Sequence, residues 1–203
     1  MTRLIIAELG RKRLLVTPLF AMCIVAATVS FTPPAPAAAR NTIPGSGTYL
    51  VGKDFSAGVY RSTGNTSCYW ERAKDASGSL NSTIANDIGS GQRLVYVRPA
   101  DRVFKTSRCH IWVRVFSSVM RIKSKKTTIP GNGSYLVGSD FLPGTYRSIR
   151  NTSSCYWERA RSADGTSGST IANGISTGQL VVSISAGDSV FKSSRCAAWT
   201  RIG

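Results

Sequence analysis

The chain has 203 residues, with 26 Lys+Arg against 10 Asp+Glu, a net charge of +16 and a single histidine. So basic a composition predicts attraction to anionic partners and says nothing about the fold. One histidine and few acids leave little material for general acid–base chemistry, so a binding or structural role is expected before an enzymatic one.

The N-terminus reads as a secretory signal. Arg3, Arg11, Lys12 and Arg13 precede an apolar run from Leu14 to Phe31, and A-x-A patterns follow at Ala35–Ala37 and Ala37–Ala39. That order predicts cleavage near Ala39–Arg40, with residues 1–39 as signal peptide. The alternative is an uncleaved anchor, for which an 18-residue run containing Pro18 is at the short limit. Cys23 follows Phe20-Ala21-Met22, which lacks the small residues of a lipid-attachment site.

The rest of the chain is one unit written twice. Residues 43–114 and 129–201 align almost end to end: IPGSGTYLVGKDFSAGVYRS matches IPGNGSYLVGSDFLPGTYRS, CYWER returns unchanged, and DRVFKTSRCHIWVR matches DSVFKSSRCAAWTR. Each copy reads as a domain with its own core. Its apolar runs are short and punctuated by turn residues: TYLVG (48–52), GVYRS (58–62), SCYWERA (67–73), RLVYV (93–97), RVFKTS (102–107) and CHIWVRV (109–115). Val, Tyr, Trp, Phe and Thr dominate them, so the expected fold is all-β, two tandem small sandwiches or barrels. Ala57-Gly58 and Pro143-Gly144 are expected to centre type II turns. Residues 115–128 read as a strand end running into a basic linker with Arg121, Lys123, Lys125 and Lys126.

Four cysteines follow the signal. Cys68 and Cys109 are 41 positions apart, and so are Cys155 and Cys196, which selects one disulfide per copy out of three possible pairings. Zinc is the alternative for such cysteines, but no two have close ligand spacing. Closing a loop of this length stabilises by about 4 kcal/mol in the chain-entropy model.

YLVGxDFxxGxYRS, CYWER and a late VFKxSRC with a following Trp together resemble a domain of secreted proteins and lipoproteins of actinobacteria and their phages. The resemblance covers residues 43–201. It implies a secreted, disulfide-bonded β-domain at the bacterial surface, and it implies no activity or functional residues.

Side-chain alternation supplies the candidate sites. With Cys68 inward, Trp70 is expected inward, and Tyr69 and Glu71 face out. The same holds for Tyr156 and Glu158, and each pair forms a small polar-aromatic patch. Cys109 and Trp112 are three apart, as are Cys196 and Trp199, so both tryptophans are expected to face out beside Arg114 and Arg201. Such a face suits stacking on a sugar and pairing with an anion. The structural reading of the same residues is a covered edge or seam. Asp54, Asp101, Asp140 and Asp188 precede turns and are expected to bond the local backbone. His110 becomes Ala197 in the other copy, so no catalytic base is shared.

The sequence therefore predicts a secreted, non-catalytic binding or structural protein of the cell envelope that engages an anionic wall polymer or glycan. The alternative is a protein-interaction module, such as a secreted inhibitor or a phage-encoded surface exclusion factor, with an extracellular protein as partner. No metal, no cofactor and no nucleic acid is expected, and membrane contact only through an uncleaved signal.

Overall fold

The computed structural model describes residues 40–120 and 123–203, so the expected signal lies outside the described residues. The fold is all-β. The first repeat holds β1 (Thr42–Ile43), β2 (Gly47–Leu50), β3 (Gly58–Ala73), β4 (Thr83–Val97), β5 (Val103–Ser107) and β6 (Trp112–Arg114). The second holds β7 (Thr128–Ile129), β8 (Gly133–Leu136), β9 (Gly144–Ala160), β10 (Thr170–Ile184), β11 (Val190–Ser194) and β12 (Trp199–Arg201). Between them Val115 adds one more backbone bond, to Val59, and Ser117–Met120 form a helical turn, α1, where the sequence suggested strand.

Segments that read as separate strands are halves of one. GVYRS and SCYWERA both belong to β3, which pairs with β4 along its whole length. The intervening TGNT is a bend, marked by register shifts between Ser62 and Asn65 and between Asn65 and Cys68. Beyond the bend the partners change. The first half of β3 pairs with β6, which pairs with β1; the second half pairs with β5, which pairs with β2. One long hairpin thus contributes to two small sheets that share a core.

The bend is held by a buried asparagine. Asn65 Nδ2 donates to the Gly91 carbonyl, and its Oδ1 accepts from Ser62 Oγ and the His110 amide. Asn151 repeats every one of these bonds with Gly178, Ser148 and Ala197. Both asparagines start N-x-[ST] triplets, but their amides are committed inside the protein.

Gly58 and Gly144 open β3 and β9 with φ of 156° and 145°. The expected type II turn needs its glycine near +80°, so the turn is of another kind. Glycine is still favoured, because a residue with a Cβ rarely adopts such a φ, and at Gly144 a Cβ would lie 2.4 Å from the Gly203 carbonyl oxygen.

Both expected disulfides are present, Cys68–Cys109 and Cys155–Cys196. Each repeat has its own core, with Phe55, Tyr60, Val95, Phe104 and Trp112 in the first and Phe141, Tyr146, Val182, Phe191 and Trp199 in the second. A third apolar cluster joins them: Leu94 and Val115 meet Leu136, Ala160 and Val190. There β4 touches β8 in parallel at Gln92 and Gly133, and the two repeats share one sheet.

Candidate binding site at the seam between the repeats

The tryptophans of the last strands are not on a surface. Trp112 and Trp199 are 0% exposed, contrary to the outward orientation expected from parity. The count fails because Cys109 lies in the irregular corner before β6 and shares no strand with Trp112. β5 stops at Ser107, Arg108 turns the chain at φ 56°, and β6 starts only at Trp112. Arg195 does the same in the second repeat, at φ 57°. Each indole donates its N–H to a β5 or β11 hydroxyl, Trp112 to Thr106 Oγ1 and Trp199 to Ser193 Oγ, both at 2.9 Å. Each ring also packs edge-on against Phe104 or Phe191. Arg114 and Arg201 lie at the ends of these strands, against Asn41 and the Pro143 carbonyl. The structure therefore offers no Trp–Arg stacking face.

The CYWER residues divide differently. Cys68 and Trp70 are buried inward, as alternation requires. Tyr69 and Glu71 share the opposite face, but Glu71 is only 8% exposed. Its carboxylate accepts from Tyr69 Oη at 2.7 Å and Lys105 Nζ at 2.9 Å. Burial alone would raise the Glu71 carboxyl, yet these bonds hold it below the ordinary carboxylate value. Tyr69 is pushed up to about 12 by burial and by the neighbouring Glu71. In the second repeat Tyr156 Oη donates to Glu158 at 2.6 Å, and Thr170 Oγ1 supplies the second donor. Burial, then Glu158 and Asp87, raise the Tyr156 hydroxyl.

The two patches read alike in sequence and end in different places. Tyr69 and Glu71 do not line the seam cleft, and Glu71 is buried by its own neighbours. Tyr156 and Glu158 are half-buried and line a cleft of about 320 Å³ at the seam, opposite Trp70 and Asp87. Lys192 reaches across this cleft to Asp87 at 2.9 Å and lies 5.8 Å from the centre of the Tyr156 ring. Trp70 also lines it, and its buried indole N–H has no acceptor among the described residues. The cleft thus combines aromatic edges, an ion pair and a spare donor, a set that suits a polyhydroxylated ligand. Both carboxylates are already held by donors. Among the described residues no three His, Cys, Asp or Glu side chains converge on a metal-sized point.

Sequence reasoning missed the arginines of the seam. Arg72, the last letter of CYWER, is 1% exposed and forks onto Asp101 at 2.7 and 2.8 Å. Its third contact is the Asp164 carbonyl of the other repeat. Asp101 also accepts from the Arg98 amide, and Asp54, Asp140 and Asp188 bond nearby backbone amides as expected. The pairing was signalled by Arg72/Asp101 and Arg159/Asp188 standing at matching positions in both copies. Arg93 is buried too, against Asp87.

A family model for the Rv1352-like extracellular domain matches residues 41–113 and again residues 127–200, which are the two bent hairpins with their flanking strands. The chain belongs to the Rv1352-like extracellular domain family. It is accordingly an extracellular protein carrying two copies of the family domain. The uncharacterised protein Rv1352 of Mycobacterium tuberculosis is 25% identical over 103 residues, covering 44% of this chain and 84% of that protein. The Mycobacterium bovis protein Mb1387 matches with the same figures. No solved structure gives a significant match.

Proposed function

We propose that the protein is a non-catalytic binding protein of the bacterial cell envelope that holds an anionic wall polymer or glycan. The observation that carries this reading is the segregation of charge. Every described Asp and Glu is engaged from within the chain: Asp87, Asp101, Asp140, Asp164, Asp188 and Glu71 in ion pairs, Glu158 by Tyr156, and Asp54 and Asp75 by backbone amides. The cations left over face solvent. Lys123, Lys125, Lys126, Arg147, Arg150 and Arg161 are exposed and make no ion pair among the described residues. The acids serve the fold, and the excess of positive charge is available to a partner. The seam cleft supplies a place for sugar hydroxyls beside that field.

The test is co-sedimentation of the purified protein with bacterial cell walls over a salt series. Contacts between exposed charges are screened within about 8 Å at physiological ionic strength, so binding should fall steeply as salt rises. Replacing Lys123, Lys125 and Lys126 together by Gln should weaken it about tenfold at low salt. Capture that ignores salt would favour a packed protein interface, and release of soluble wall fragments would make the protein an enzyme; either overturns the reading.

A further inference from the structure

The contact between the repeats is not symmetric. The first repeat contributes one flank of its hairpin, and the second contributes the opposite flank, around β8 and β11. Because the two repeats are copies, each flank exists a second time and is left uncovered. A heterologous contact of this kind leaves a free donor face at one end and a free acceptor face at the other.

The specific contacts are few and can be followed residue by residue. Arg61 pairs with Asp140 at 2.7 Å. Gln92 Nε2 donates to Asp140 Oδ2 and to the Ser134 carbonyl, both at 2.9 Å. The Leu94 amide donates to Ser134 Oγ at 2.7 Å, while its side chain packs on Leu136. On the uncovered flank of the second repeat, Arg147, Gln179 and Val181 occupy the positions of Arg61, Gln92 and Leu94. On the uncovered flank of the first, Asp54, Thr48 and Leu50 occupy those of Asp140, Ser134 and Leu136. Each keeps the needed chemistry: guanidinium for carboxylate, amide for carbonyl, hydroxyl for backbone amide, aliphatic for aliphatic.

Exposure shows what is missing. Leu94 and Leu136 are 4% and 6% exposed, whereas Val181 and Leu50 are 52% and 41% exposed. β8 is buried throughout, and its copy β2 is open along most of its length. Two apolar side chains that are buried in one copy and bare in the other mark a surface with a complementary occupant.

We propose that this occupant is a second copy of the chain, docked so that Arg147, Gln179 and Val181 of one molecule meet Asp54, Thr48 and Leu50 of the next. The contact repeats the internal seam and extends the array head to tail. It is weaker than the seam, because two of the seam's ion pairs have no counterpart. Lys192–Asp87 becomes Lys105 facing Gly174, and Arg98–Asp164 becomes Ser185 facing Ser77. Assembly therefore depends on concentration. A row of copies would also repeat the exposed cations along a polymer, where linked weak sites act together.

The test is sedimentation equilibrium of the purified protein over a concentration series, with two variants at exposed positions and thermal melts to show that each is folded. The wild type should rise in mass with concentration. Val181→Arg and Leu50→Arg should each remain monomeric, with self-association weakened at least about tenfold. A mixture of the two variants should form a one-to-one dimer and nothing larger, since each brings the face that the other lacks. A wild type that stays monomeric, variants that still self-associate, or a mixture that never dimerises would each overturn the proposal.

Discussion

Arg72 and Arg159 show one ion pair in two surroundings. Both fork onto an aspartate 29 residues further on, Asp101 and Asp188. The Arg72 side chain is 1% exposed because the second repeat covers it, while Arg159 is 22% exposed. Removing one partner of a buried pair leaves a charge without water or counterion, which costs about 3–5 kcal/mol. At the half-open copy water can replace the partner. We expect Arg72→Ala to destabilise by about 3–5 kcal/mol and Arg159→Ala by about 1 kcal/mol. Chemical denaturation of the two variants checks the ratio; equal losses would mean that the seam adds nothing to the pair.

At the scale of the element, the bent hairpin is the feature that repeats best, yet its two copies differ at the bend. Gly64 has φ of 76° in the first repeat, and Arg150 takes the same place at φ 60° in the second. The left-handed region costs a residue with a Cβ about 1–2 kcal/mol, and glycine loses about 0.5–1 kcal/mol in chain entropy on folding. Arg150→Gly should therefore raise stability by about 0.5 kcal/mol, and Gly64→Ala should lower it by about 1 kcal/mol. Paired thermal melts give the two signs. The corner between β5 and β6 uses Arg108 in the same conformation, and this corner is why alternation could not be counted from cysteine to tryptophan.

At the scale of the whole molecule, the seam has an acid-sensitive latch. Asp164 belongs to the second repeat and pairs with Arg98 of the first. Burial alone would raise its carboxyl, but the Thr166 amide and hydroxyl and the Arg98 charge hold it below the ordinary 3.8. A group whose folded value is depressed stabilises above its unfolded value, and that stability is lost as pH falls through the folded one. Glu71, also depressed, acts in the same direction. The protein should therefore lose stability below about pH 4. Asp164→Asn should be less stable at neutral pH and lose less between pH 5 and about pH 2. Melting temperatures across that range decide it, and an acid limb unchanged by the substitution would remove Asp164 from the seam's energetics.

The duplication, the all-β class and both disulfides were legible from the amino acids alone. These rest on features that survive without coordinates: identical words at a fixed spacing, β-branched and aromatic runs, and cysteines that repeat with the unit. The sequence also placed Trp70 inward, since Cys68 and Trp70 share a continuous strand. Where Trp112 and Trp199 point depended on the tertiary fold, because residues 109–111 and 196–198 leave the strand and no local pattern announces it. That fold alone placed Tyr156 and Glu158 at the seam cleft and left Tyr69 and Glu71 away from it. Two equal sequences acquire unequal surroundings when one copy packs on the other, and burial, pairing and exposure follow from that packing and not from the words themselves.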